Sequence, residues 1–191
     1  MGQGLGTLLG LITAFAIVFV VMMFGAFMPN DLIASTIVDD FLGYNDLELR
    51  LAVVGTILYP APAILGSTSL GTLVMYGAEG ATVLMWLAWG TGGLVAGLMT
   101  KEILPGILSA VFSAVIGAFL TWILFFIISP DFSAMAIFQQ GSLLIMQSSL
   151  EGTIYPAIAC AIGGLLGGAI TRAVEAVLQD ERIKSYIQYG Q

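Results

Sequence analysis

Six stretches of this chain carry no charged side chain: residues 1–30, 51–78, 80–100, 103–130, 132–150 and 152–171. Windows of that length dictate the surroundings of the fold. An α-helix needs about 20 apolar residues to cross a hydrocarbon core of about 30 Å, and several of the windows suffice. A water-soluble domain carries about 25 % charged residues. Here 9 % of the 191 residues are charged, 59 % are hydrophobic and the mean hydropathy is +1.02. A soluble fold this apolar would have almost nothing to present to water. The chain reads as an all-α integral membrane protein, multi-pass, with the lipid bilayer as its first partner and a prokaryotic cell membrane as its expected location.

The amino-terminal "MGQGLGTLLGLITAFAIVFVVMMFGAF" lacks a basic n-region, and its apolar run is too long for a signal peptide. It is expected to be a retained transmembrane helix over residues 5–28. Further long helices are expected over 80–100, 103–128 and 153–178. "MPND" and "SPDF" close the first and third of these four, because proline cannot comfortably continue a helix. Residues 31–48 hold Asp31, Asp39, Asp40, Asp46 and Glu48 and read as a solvated loop. Two apolar segments remain. Residues 51–78 are interrupted by Pro60, Pro62 and glycines, and 132–150 carry Gln139, Gln140 and Gln147. Unpaired backbone in lipid costs several kcal/mol. Both segments are therefore expected to be broken or re-entrant, shielded between the long helices.

One phrase occurs twice. "EGATVLMWLAWGTGGLVAGLMTK" starts at Glu79 and "EGTIYPAIACAIGGLLGGAITR" at Glu151. Around it the order Pro-Asp, Gly-Ser, Glu-Gly, Gly-Gly, Thr-basic recurs. The expectation is a single polytopic domain, residues 1–178, made of two duplicated units, 5–101 and 103–172, and followed by a polar tail, 179–191. If the middle segments do not cross, each unit crosses twice and the units are parallel, giving four transmembrane helices. If they do cross, the chain has six transmembrane helices as inverted 3+3 repeats, a common transporter plan. Basic residues favour the cytoplasmic side. The parallel plan gathers Lys101, Arg172, Arg182 and Lys184 there with both termini, and is preferred.

Glu79 and Glu151 are the ion or proton candidates. Each stands alone between long uncharged windows, and an intramembrane carboxylate is by default a functional hypothesis. The competing reading is that each precedes a helix, where a carboxylate bonds free N–H groups and favours the dipole. Gly92, Gly93, Ala96, Gly97, Gly163, Gly164, Gly167 and Gly168 are the helix-packing candidates, because small residues four apart let backbones approach. Lining a narrow pore is the alternative for them. Gly6/Gly10 and Ala110/Ala114/Ala118 repeat the spacing. Trp89 and Cys160 read as packing residues, and Pro156 as a first-turn proline.

With no histidine and one cysteine, an internal disulfide is impossible. The usual zinc, haem and iron–sulfur sites and Ser-His or Cys-His catalysis are nearly excluded. No metal, no cofactor and no enzymatic activity are expected, and a net charge of −7 argues against nucleic acid. What remains is a small channel- or transporter-type protein moving an ion or small solute, as a homo-oligomer or with other membrane subunits. The alternative is a non-catalytic structural subunit of a larger membrane complex. "GGLVAGLMTK" and "GGLLGGAITR" resemble phrases in small prokaryotic membrane proteins. The length, the possible six segments and the Ala110–Ala118 spacing also resemble the substrate-binding subunits of energy-coupling vitamin transporters. That resemblance implies such a subunit as a further alternative, although the family carries this spacing on its first helix and this chain carries it on its fourth.

Overall fold

The computed structural model describes residues 2–27, 35–59, 80–128 and 134–189. Those residues form α1 (Gln3–Met23), a 3-10 turn (Gly25–Phe27), α2 (Ser35–Gly43), α3 (Leu47–Leu58), α4 (Gly80–Thr100), α5 (Ile103–Ile128) and α6 (Ala134–Tyr189), with no strand among them. Four stretches are long and apolar enough to cross a membrane: Gln3–Met23, Val83–Thr100, Ile103–Leu124 and Gly152–Gln179. This is compatible with a multi-pass membrane protein. The outward faces of these helices are apolar as well. Leu8, Ile12, Phe112, Phe119, Ile162 and Leu166 are all exposed, which is what a hydrocarbon solvent requires.

Packing contacts fix the directions of the helices. Gly6 faces Ala96 and Gly10 faces Gly92, so α1 and α4 run opposite ways. Gly168 faces Glu102 and Gly164 faces Gly106, so α5 and α6 do too. Ser109 bonds Gln3 and Ser113 bonds Thr7, so α1 and α5 run together. Gly93 meets Cys160 and Gly97 meets Gly164, so α4 and α6 also run together. The directions alternate α1, α4, α5, α6, as four single crossings require. Three-crossing units would set α1 parallel to α4, and the inverted six-helix plan does not have these contacts.

α4 packs on α1, α5 and α6, and α5 also closes on α1 and α6. The bundle is a rhombus with α4 and α5 on its short diagonal. A Cβ built on Gly106 of α5 would come within 3.2 Å of the Gly97 Cα of α4, so the centre is closed by backbone. Between α4 and α5 the chain reverses within Lys101 and Glu102. Lys101 takes the left-handed conformation, φ 64°, that ends a helix sharply.

Several expectations change. α6 begins at Ala134, so its 56 residues span about 84 Å, far more than a bilayer core needs. Residues 134–150 are thus helix continuous with the last apolar stretch, not a broken segment. Pro156 lies in the interior of α6 and not in a first turn. The helix also runs past residue 178 to Tyr189, so the polar residues that follow the last apolar stretch are helical as well. The acidic stretch is not all loop either, since α2 lies within it. There Phe41 stacks edge-on to Phe19 of α1, centroids 5.3 Å apart, and the Arg50 guanidinium sits 5.5 Å over the same ring. The ring packs on one side and receives a cation on the other, while Asp39, Asp46 and Glu48 stay exposed to water.

Candidate functional site

The repeated glycine phrase builds two close seams on each of two helices. On α4, Gly92 meets the Gly10 carbonyl of α1, where an added Cβ would lie 2.6 Å from the oxygen, and Ala96 is fully buried on the same side. One residue on, Gly93 and Gly97 face α6, and Cβ atoms there would land on the Cys160 and Gly164 carbonyl oxygens. On α6 the order is reversed. Gly163 and Gly167 face α4 and would strike the Gly90 and Leu94 carbonyls, while Gly164 and Gly168 face α5, with the Gly106 and Glu102 carbonyls 2.7 and 2.8 Å from the built Cβ atoms. Each glycine column therefore has a neighbouring helix against it. Only hydrogen fits between these backbones, the arrangement that small residues permit in membranes and that Cα–H···O contacts favour. A pore lined by these glycines has no space along these seams.

The two phrases are not used equivalently. In sequence Gly92 aligns with Gly163, yet Gly92 faces α1 and Gly163 faces α4. A shift of one residue rotates a helix face by about 100°, enough to exchange the neighbours.

A second feature was not apparent from spacing. α3 has 12 residues, about 18 Å, only half a crossing. It enters from the end of the bundle opposite Lys101 and stops at mid-height. Tyr59, its C-cap, donates from its hydroxyl to the Ala114 carbonyl at 2.6 Å. The Trp89 indole Nε1 donates to the Leu58 carbonyl at 3.0 Å. Ala114 and Trp89 lie near the midpoints of α5 and α4. Phe15, near the midpoint of α1, stacks edge-on to Trp89 at 6.4 Å, and the Tyr59 and Trp89 rings are 5.4 Å apart. Beneath them the Cys160 thiol donates to the Trp89 carbonyl at 3.3 Å. Trp89 and Cys160 are fully buried.

Toward the Lys101 end, α1 and α5 are joined directly by hydroxyls. Thr7 and Ser109 Oγ atoms are 3.0 Å apart, Ser109 donates to the Gln3 carbonyl at 2.9 Å, and Ser113 donates to the Thr7 carbonyl at 2.7 Å. Ser109 and Ser113 flank the alanines of the Ala110/Ala114/Ala118 column, so their four-residue spacing was the available signal. That alanine column is itself buried within the chain and presents no outward face. Among the described residues every buried side-chain nitrogen and oxygen has a partner.

Glu79 lies outside the described residues. Glu151 lies within α6, well after its start at Ala134, so it does not precede a helix and the capping reading fails for it, while its side chain lies outside the described set. The structure thus brings the eight packing residues into the seams. Comparison with protein-family models, with curated proteins and with solved structures finds no match to this chain.

Proposed function

We propose that this chain is a small channel- or transporter-type membrane protein that moves an ion or small solute, with its pathway along α3 rather than through the centre of the bundle. One observation carries this reading: a half-length helix ends at mid-height, inside a bundle otherwise closed by glycine seams. Interrupted helices at membrane depth are tolerated only where protein buries them or a water-filled cavity adjoins them. They are the element from which transporter and channel sites are built. Two parallel duplicated units, with both termini and Lys101 on the cytoplasmic side, fit the shared direction of α1 with α5 and of α4 with α6.

The test is flux of monovalent cations and of small neutral solutes into liposomes holding the purified chain. Loss of flux in Glu79→Gln plus Glu151→Gln, with the oligomeric state unchanged, supports the reading. The scaffold alternative draws on the close-packed, internally satisfied bundle. Absence of flux, together with partner subunits that co-purify in fixed stoichiometry, would replace transport by scaffolding.

A further inference from the structure

We propose that α3 is a displaceable plug, seated in a crevice between α1, α4 and α5 and latched at its inner end by the Tyr59 and Trp89 hydrogen bonds. The inference rests on the transport reading and adds the step that opens the path.

The crevice follows from what α1 and α5 do along their lengths. In the half nearer Lys101 they are tied to each other by Thr7, Ser109 and Ser113, and Leu11 closes on Gly117. In the other half α3 packs on α1, α4 and α5. Gly55 of α3 meets Thr121 there, with a built Cβ only 2.6 Å from the Thr121 methyl. Tyr59 reaches Gly117, one level above the floor. α3 therefore fills space that α1 and α5 do not close themselves.

The way α3 is attached suits movement. Its buried residues, Ala52, Val54, Gly55, Ile57 and Leu58, are small or aliphatic and include no charge. Glu48 and Arg50 stay at the mouth, with Glu48 exposed, so withdrawal drags no ion through an apolar layer. Both side-chain hydrogen bonds that join α3 to the long helices, among the described residues, lie in its final turn. The floor beneath keeps its own hydroxyl bonds when these two break. The outer end is held by Arg50, over the Phe41 ring and on the Tyr44 carbonyl, so that end can serve as the hinge about which α3 lifts from the floor when the two inner bonds break.

The test uses the full-length chain with Cys160→Ser, so that an introduced thiol is the only one. Thr121→Cys reports on the crevice wall and Ser113→Cys on the floor. A water-soluble methanethiosulfonate is the probe. Each intramembrane hydrogen bond is worth about a threefold change in equilibrium. Tyr59→Phe with Trp89→Phe keeps aromatic bulk at both positions and is expected to speed modification at 121 about eightfold, leaving 113 unchanged. Equal rates at 121 with and without the latch overturn the proposal, and so does equal acceleration at 113, which would mean general loosening. Flux in the same variants separates the two readings. Faster modification at 121 without any flux keeps the plug and removes transport. Flux with no change at 121 keeps transport and removes the plug.

Discussion

Gly163 lies against the Gly90 carbonyl across the α4–α6 seam while the Cβ side of Gly90 points away, so the same substitution at the two should act in opposite directions. A Cβ on Gly163 would overlap the Gly90 carbonyl oxygen and lie 2.8 Å from the Leu94 nitrogen. Both obstacles are backbone, so no rotamer change relieves them and α4 and α6 must separate. A carbon–oxygen contact is comfortable only near 3.3–3.6 Å. The separation also opens the neighbouring contacts of Gly93, Gly97 and Gly167. Overpacking of this kind costs about 1–3 kcal/mol, and alanine's higher helix propensity returns about 1 kcal/mol at most. Gly163→Ala should therefore destabilise the chain by up to about 2 kcal/mol. A Cβ on Gly90 meets nothing within 4 Å. Gly90→Ala should be neutral or stabilise by up to about 1 kcal/mol. Reversible unfolding in mixed micelles, followed by tryptophan fluorescence, measures both. Equal stabilities for the two variants would refute the seam, as would a Gly90→Ala less stable than Gly163→Ala. The double variant Gly163→Ala/Gly167→Ala tests the mechanism further. One displacement accommodates both methyls, so its cost should fall short of the sum of the single costs.

Ser113→Ala removes the bond to the Thr7 carbonyl and should cost about 0.6 kcal/mol, up to about 1.7, in the same unfolding assay; an unchanged midpoint would mean the α1–α5 hydroxyl layer contributes nothing. Lys101→Gly frees a left-handed backbone position and should stabilise by about 1 kcal/mol, provided the ion pair lost with the lysine is as weak as its exposure implies. That pair, Lys101–Glu175 at 3.1 Å, has side chains 59 % and 48 % exposed, so Glu175→Gln alone should shift stability by less than about 0.5 kcal/mol. In a Cys160→Ser background, thiols placed at 101 and at 189 should both resist an impermeant reagent added to intact cells and react once the cells are opened; labelling of one alone from outside would break the proposed common side.

The four helices long and apolar enough to cross a membrane were legible because they depend on composition and length. Residues 80–100 and 103–128 were delimited correctly by the charge-bearing residues 79, 101, 102 and 131 that bound the uncharged windows. The last apolar stretch, 152–179, was close to the expected 153–178, but the start of its helix at Ala134 was not legible. Glutamines and serines over 139–149 looked like a break, but a helix satisfies its own backbone whatever its side chains, and α6 continues through them. Pro156 was misplaced for the same reason. The glycine columns could be found by spacing four, but not their partners. A helix carrying two adjacent columns presents two faces about 100° apart, and sequence alone does not say which neighbour takes which.

Helices long and apolar enough to cross a membrane, and small residues at their contacts, were determined by the sequence, because each follows from transfer energies and local sterics along one segment. The tertiary structure alone decided the rest. It set α1 beside α5 and α4 beside α6 in common directions, closed the centre with the backbones of Gly97 and Gly106, and stopped α3 at Tyr59 against Trp89 and Ala114. Those outcomes depend on contacts between residues from 9 (Gly97 to Gly106) to more than 100 positions apart. Which of several apolar faces meets which is settled by the fit of surfaces, for which no single stretch of sequence carries a sign.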